Sequence, residues 1–189
     1  MAQIGVTFFV DHHFGIIRNQ FSLTELVRKD LKSDEHQFTF RHIVSKNISS
    51  MCRTYPSKLE DMRLFVESND HNIFIIGLGA SDYKSGYSYT MFRNHIKGIL
   101  SEIHIIDSKS DVVFLNMNIL NNLKGNFKTN YVKMSSIVNE LSKEHNCFTL
   151  VSDLRFLFLN NGDYVVSTKT IPNLISDISE IVINILSLK

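Results

Sequence analysis

Cysteine, proline and glycine are all scarce in this chain. Its 189 residues include 2 Cys, 2 Pro and 8 Gly. Cys52 and Cys147 lie far apart and form no C-x-x-C pair. That spacing excludes a disulfide framework and leaves reduced, structural thiols as the expectation. A surplus of one charge is missing too: 20 Lys and Arg stand against 19 Asp and Glu, for a net charge of +1. With no basic run to hold a phosphate backbone, no nucleic-acid partner is expected. No apolar stretch is long enough to span a bilayer. The first apolar run has no basic segment before it and stops at Asp11, so it reads as a strand rather than a signal peptide. A soluble, cytoplasmic protein without a membrane partner is the resulting expectation. No His-x-His or His-Glu-x-x-His occurs, so neither a metal nor a cofactor is expected.

What is present is ordinary globular material, with 43% hydrophobic and 21% charged residues. The length suits one domain over 1–189, and no linker, repeat or low-complexity tract divides it. Residues 4–10, Ile-Gly-Val-Thr-Phe-Phe-Val, predict a buried strand: β-branched, aromatic and uncharged. Ser22-Leu23-Thr24-Glu25 is a capping box opening a helix with Leu23, Leu26, Val27 and Leu31 as its stripe. Residues 37–44 alternate, with Phe38 and Phe40 on one side, as a strand near a sheet edge does. A second capping box, Ser57 to Glu60, opens a helix to about Ser68, and 72–78 is an apolar strand covered on both faces. Helical spacing returns at 89–105, 130–145 and 171–186, with short apolar strands at 111–117 and 147–151 between them. Strands alternating with helices predict an α/β fold: a three-layer sandwich around a mainly parallel, five-stranded sheet.

In such a sheet ligands bind beyond the carboxyl ends of the strands. The first strand ends there in Asp11-His12-His13, three ionisable groups in a row. A neutral imidazole can take a proton as a general base at physiological pH, and a carboxylate can orient it. The bland alternative is a loop whose histidines satisfy local backbone groups. Gly79-Ala80-Ser81-Asp82 closes the third strand and is open in the same way. Ser81 and Asp82 either supply a hydroxyl and a carboxylate to the site, or stop the strand and cap the next turn. Tyr83, Tyr87 and Tyr89 flank this loop, lining a pocket or packing it. Asp163, beside Asn160, Asn161 and Gly162, is a further candidate or a turn residue. His36, His71, His104 and His145 follow or end helices, where a positive or polar group is favoured.

Five blocks fall in a recognisable order. They are Val10-Asp11-His12-His13, Gly79-Ala80-Ser81-Asp82, Glu140-Leu141-Ser142-Lys143-Glu144-His145, Asp153-Leu154-Arg155 and Gly162-Asp163-Tyr164-Val165-Val166. The series resembles the SGNH (GDSL-type) hydrolases over nearly the whole chain, by pattern more than by identity. The resemblance implies their flavodoxin-like fold and ester or acyl chemistry on a carbohydrate-like or small-molecule substrate. The family's Gly-Asp-Ser would fall on Val10-Asp11-His12, its Gly-x-Asn-Asp on Gly79 to Asp82, and its Asp-x-x-His on Asp163 to Val166.

The departures fall on the chemistry. His12 replaces the nucleophilic serine, Ser81 the oxyanion-hole asparagine and Val166 the catalytic histidine, and Ser45-Lys46-Asn47 lacks the second-block glycine. Valine cannot accept a proton, so the standard Ser-His-Asp mechanism is not expected. Two readings follow. One is an enzyme whose site uses Asp11, His12, His13, Ser81, Asp82 and Asp163, with a histidine as base. The other is a catalytically inactive SGNH-like domain that binds a ligand or a protein partner in the old cleft.

Overall fold

The computed structural model describes residues 1–11, 22–45, 59–77, 82, 88–117, 126–152, 156–158, 164–166 and 169–189. In chain order these form β1 (Ala2–Asp11), α1 (Leu23–Asp30), β2 (His36–Ser45), α2 (Leu59–Glu67), β3 (His71–Gly77) and α3 (Tyr89–Ile106). They continue with β4 (Asp111–Met117), α4 (Asn126–Glu144), β5 (Phe148–Ser152), β6 (Phe156–Phe158), β7 (Tyr164–Val166) and α5 (Ile171–Ser187). Strands β1 to β5 make one sheet in the order β2-β1-β3-β4-β5, and every pairing in it is parallel. The expected α/β sandwich is the observed one. The antiparallel pair β6–β7 was not expected. Each of its strands has 3 residues, too few to reveal an alternation.

The central strands carry apolar residues on both faces because both faces are covered. From Ile4 to Asp11 every residue of β1 is buried, and so is every residue of β3 from Asn72 onward. Phe9 and Phe74 stack across the β1–β3 boundary with ring centres 6.1 Å apart. Burying each such ring contributes roughly 1.5–3 kcal/mol. At the β2 edge the strand forms as predicted but the alternation does not carry through: Phe38 and Phe40 lean on the core, Thr39 and Arg41 on the other side are half-buried as well, and His42, on the side of the two rings, is exposed.

One helix layer packs α1 against α5, and the other packs α2 and α4 on either side of α3. The capping box of α1 is formed. The Glu25 N–H donates to Ser22 Oγ at 3.2 Å, and the Ser22 N–H donates to Glu25 Oε2 at 2.8 Å. The Ser22 N–H and, at 3.1 Å, the Ser22 hydroxyl both donate to Glu25 Oε2 and hold its carboxyl below its ordinary pKa. The helix α4 begins at Asn126, four residues before the apolar stripe signals it. Of the second capping box, Ser57 lies outside the described residues. No helix among the described residues is long and apolar enough to cross a membrane.

At the amino end of the sheet, polar side chains bind one another. His71 Nε2 lies 2.8 Å from Asp111 Oδ2, and Lys189 Nζ lies 3.0 Å from the same oxygen. Thr39 Oγ1 donates to Asn69 Oδ1 at 2.6 Å, and Asn69 Nδ2 donates to the Phe65 carbonyl at 2.6 Å. Gly5 leaves the space this network fills. A Cβ there would collide with Asn72 Oδ1 and come within 2.8 Å of Asn69 Nδ2.

Candidate functional site

The strand order reverses between β1 and β3. From β1 the chain steps outward to β2, then returns to lay β3 on the other side of β1. The connections leaving β1 and β3 therefore run to opposite helix layers, the arrangement beside whose carboxyl end open α/β sheets bind ligands. Asp11 is the last residue of β1, and Asp82 lies five residues beyond Gly77, the last of β3. The two strand ends are neighbours, with Val10 paired to Gly77. Asp11 and Asp82 are both 0% exposed.

The pleat sets the direction of Asp11. It shares a face of β1 with Thr7 and Phe9, and the Thr7 hydroxyl lies 4.0 Å from Met62 Sδ on α2. Asp11 is thus aimed toward the α2–α4 layer. Removing a carboxylate from water costs several kcal/mol unless other groups compensate. Both Asp11 and Asp82 do engage other groups.

The rim of this end is tied by residues whose roles the sequence did not specify. The hydroxyl of Tyr89, in the first turn of α3, donates to Asn130 Oδ1 on α4 at 2.5 Å. Lys133 Nζ sits 4.8 Å from the centre of the Tyr89 ring. Tyr89 also packs against the core, so it braces the rim rather than standing open. Asn116, buried near the end of β4, donates from Nδ2 to Asn139 Oδ1 at 2.8 Å and accepts from Ser135 Oγ at 2.8 Å. Its one sequence signal was a lone amide closing the apolar run 112–115.

Of the residues expected at the site, the structure describes Asp11 and Asp82, both buried. His12, His13, Ser81 and Asp163 lie outside the described residues, as do Tyr83, Tyr87 and Cys52. Val166 ends β7 and pairs with Phe156, just ahead of α5. His71 proves to be a hydrogen-bond partner of Asp111 at the far end of the sheet. Burial pushes the Cys147 thiol up to about 11, so it is no nucleophile at neutral pH. Among the described residues no group of three or more His, Cys, Asp or Glu could hold a metal.

No family model matches the sequence, and neither does any curated protein sequence. Solved structures do match the fold. The psychrotrophic esterase EstA from Pseudoalteromonas sp. superposes with a TM-score of 0.69 at 11% identity, covering 96% of this chain and 98% of that one. A member of the lipolytic G-D-S-L family from Veillonella parvula gives 0.61 at 12% identity, covering 94% and 97%. The lipase/acylhydrolase from Enterococcus faecalis gives 0.58 at 17% identity, covering 95% and 94%. The chain thus has an SGNH-like fold, and these structural neighbours are lipases and esterases.

Proposed function

We propose that this chain performs ester or acyl-group chemistry on a carbohydrate-like or small-molecule substrate, at a site without the standard Ser-His-Asp triad. One observation supports the reading: Asp11, which ends β1, and Asp82, five residues beyond β3, are both fully buried, and β1 and β3 meet at the switch point beside which open α/β sheets bind ligands. The esterase neighbours supply the reaction class by analogy.

In this reading His12 or His13 acts as general base. Its unprotonated ring nitrogen takes a proton from water as the water oxygen attacks the ester carbonyl. Asp11 or Asp82 orients the imidazole and stabilises its charged form. The Ser81 hydroxyl donates to the developing oxyanion, in the place of the family's amide. The proton then passes from the imidazolium to the leaving alkoxide, releasing acid and alcohol. Asp163, one residue ahead of β7, has no histidine three positions on, so its role is a turn or a contact to substrate.

The valine at 166 favours a second reading, a non-catalytic domain that keeps the cleft for binding a ligand or protein. A screen of short-chain p-nitrophenyl esters and acetylated sugars separates the two. The enzyme reading expects turnover by the wild type and its collapse in His12→Ala or His13→Ala. Equal rates in all three proteins would rule out the assigned site.

A further inference from the structure

At the opposite end of the sheet from Asp11 and Asp82 lies a cavity of about 250 Å³. It opens between the last turns of α3 and α4, beside the first residues of β4 and β5. Leu100, Ile103 and Val112 give it an apolar lining, and His104, Asp107 and His145 bring its ionisable groups. The ester chemistry above makes no use of it.

Its walls are fixed before any ligand arrives. Asp107 caps α3, with its N–H donating to the Ile103 carbonyl at 2.8 Å. The Asp107 carboxylate is held twice: Oδ1 accepts from the Lys109 N–H at 3.0 Å, and Oδ2 accepts from the buried Asn72 amide at 3.1 Å. Opposite, the chain leaves α4 through Asn146, whose φ of 53° is the left-handed turn that asparagine tolerates. The Cys147 N–H then reaches back to the Ser142 carbonyl at 2.8 Å, closing the helix end and setting His145 and Cys147 on the wall.

The sign of the charge it takes follows from those walls. Two helix carboxyl ends converge here, each carrying the negative end of its macrodipole and carbonyls without helical partners. Asp107 adds a carboxylate, and neither lysine nor arginine lines the cavity. An anion would meet all three sources of negative potential, whereas a cation is favoured by each. The imidazoles can accept from an N–H through an unprotonated ring nitrogen. A bare metal ion fits poorly, because no set of ligands among the described residues converges on one point. The apolar patch calls for a hydrocarbon tail. The volume falls below the ~300 Å³ at which pockets take drug-sized molecules, so the occupant is fragment-sized.

We propose that this cavity binds a small organic ammonium ion, its charged head against Asp107 and a short apolar tail against Leu100, Ile103 and Val112. Amide NMR of the isotope-labelled full chain, titrated with benzylammonium, benzyl alcohol and benzoate, tests it. The expected result is saturable binding of benzylammonium, with shifts confined to residues 100–112 and 145–148. Asp107→Asn should weaken that binding about tenfold or more. Ser108→Phe, an exposed change that crowds the mouth and leaves the buried amide network alone, should weaken it as well. Absence of saturable binding, equal binding of benzoate, shifts gathered at Asp11 and Asp82, or unchanged binding in both variants would overturn the proposal.

Discussion

At the amino end of the sheet, polar side chains find one another: His71 and Lys189 meet Asp111, Asn72 meets Asp107, and Thr39 meets Asn69. At the carboxyl end, Asp11 and Asp82 are buried at the last turn of the scaffold, where the chain leaves β1 and β3. The first arrangement joins strands that are distant in sequence and fixes how they stack. The second buries carboxyl groups at or just past the strand ends on either side of the point where the strand order reverses. On the function proposed above, the same residue types do different work by position along the strands: stability at one end, chemistry at the other.

The sharpest break of this contrast is at the carboxyl end. In the double variant His12→Ala, His13→Ala, ester hydrolysis is expected to fall about a hundredfold or more, the ordinary cost of losing a general base. Its urea midpoint should match the wild type. Gly5→Val carries the largest expected effect at the amino end. The added side chain would displace Asn72 and Asn69 and cost about 1–3 kcal/mol in a urea melt, with rate per folded molecule unchanged.

Asp111→Asn should cost less, about 1 kcal/mol at neutral pH, and leave hydrolysis intact. Its pH dependence has a definite sign. Burial acts to raise the Asp111 carboxyl, but hydrogen bonds from His71 and Lys189 outweigh it and hold the group below the ordinary aspartate value. A depressed folded pKa means the contribution is complete above the unfolded value and disappears as pH falls through the folded one. The stability gap between wild type and Asp111→Asn should therefore be flat above about pH 5 and shrink below 3.8. Arg93→Ala, on the exposed pairs with Glu140 and Glu144, should shift no midpoint measurably.

Much of the fold was legible because periodicity is a local property. The uncharged run 4–10 was readable as a buried strand, and 37–44 as a strand near a sheet edge, although its burial does not follow the alternation. Ser22 and Glu25 marked a helix start to the residue. The β6–β7 hairpin was not legible, since three-residue strands have no period to read. The pairing of His71 with Asp111 and Lys189 was invisible because it joins residues 40 and more positions apart, and only the parallel register brings them together. At the site, Asp11 and Asp82 were nameable from the way strands end in this fold. Their complete burial was not, because burial depends on what the helices lay over them.

The central claim is that the carboxyl end carries the chemistry, and one crossed measurement tests it most directly. Asp82→Asn and Asp111→Asn are prepared side by side, and each is assayed for kcat/KM on p-nitrophenyl acetate and for its urea midpoint. The expected result is a rate lost in Asp82→Asn among folded molecules, and a wild-type rate with a lowered midpoint in Asp111→Asn. A wild-type rate in folded Asp82→Asn would contradict the account.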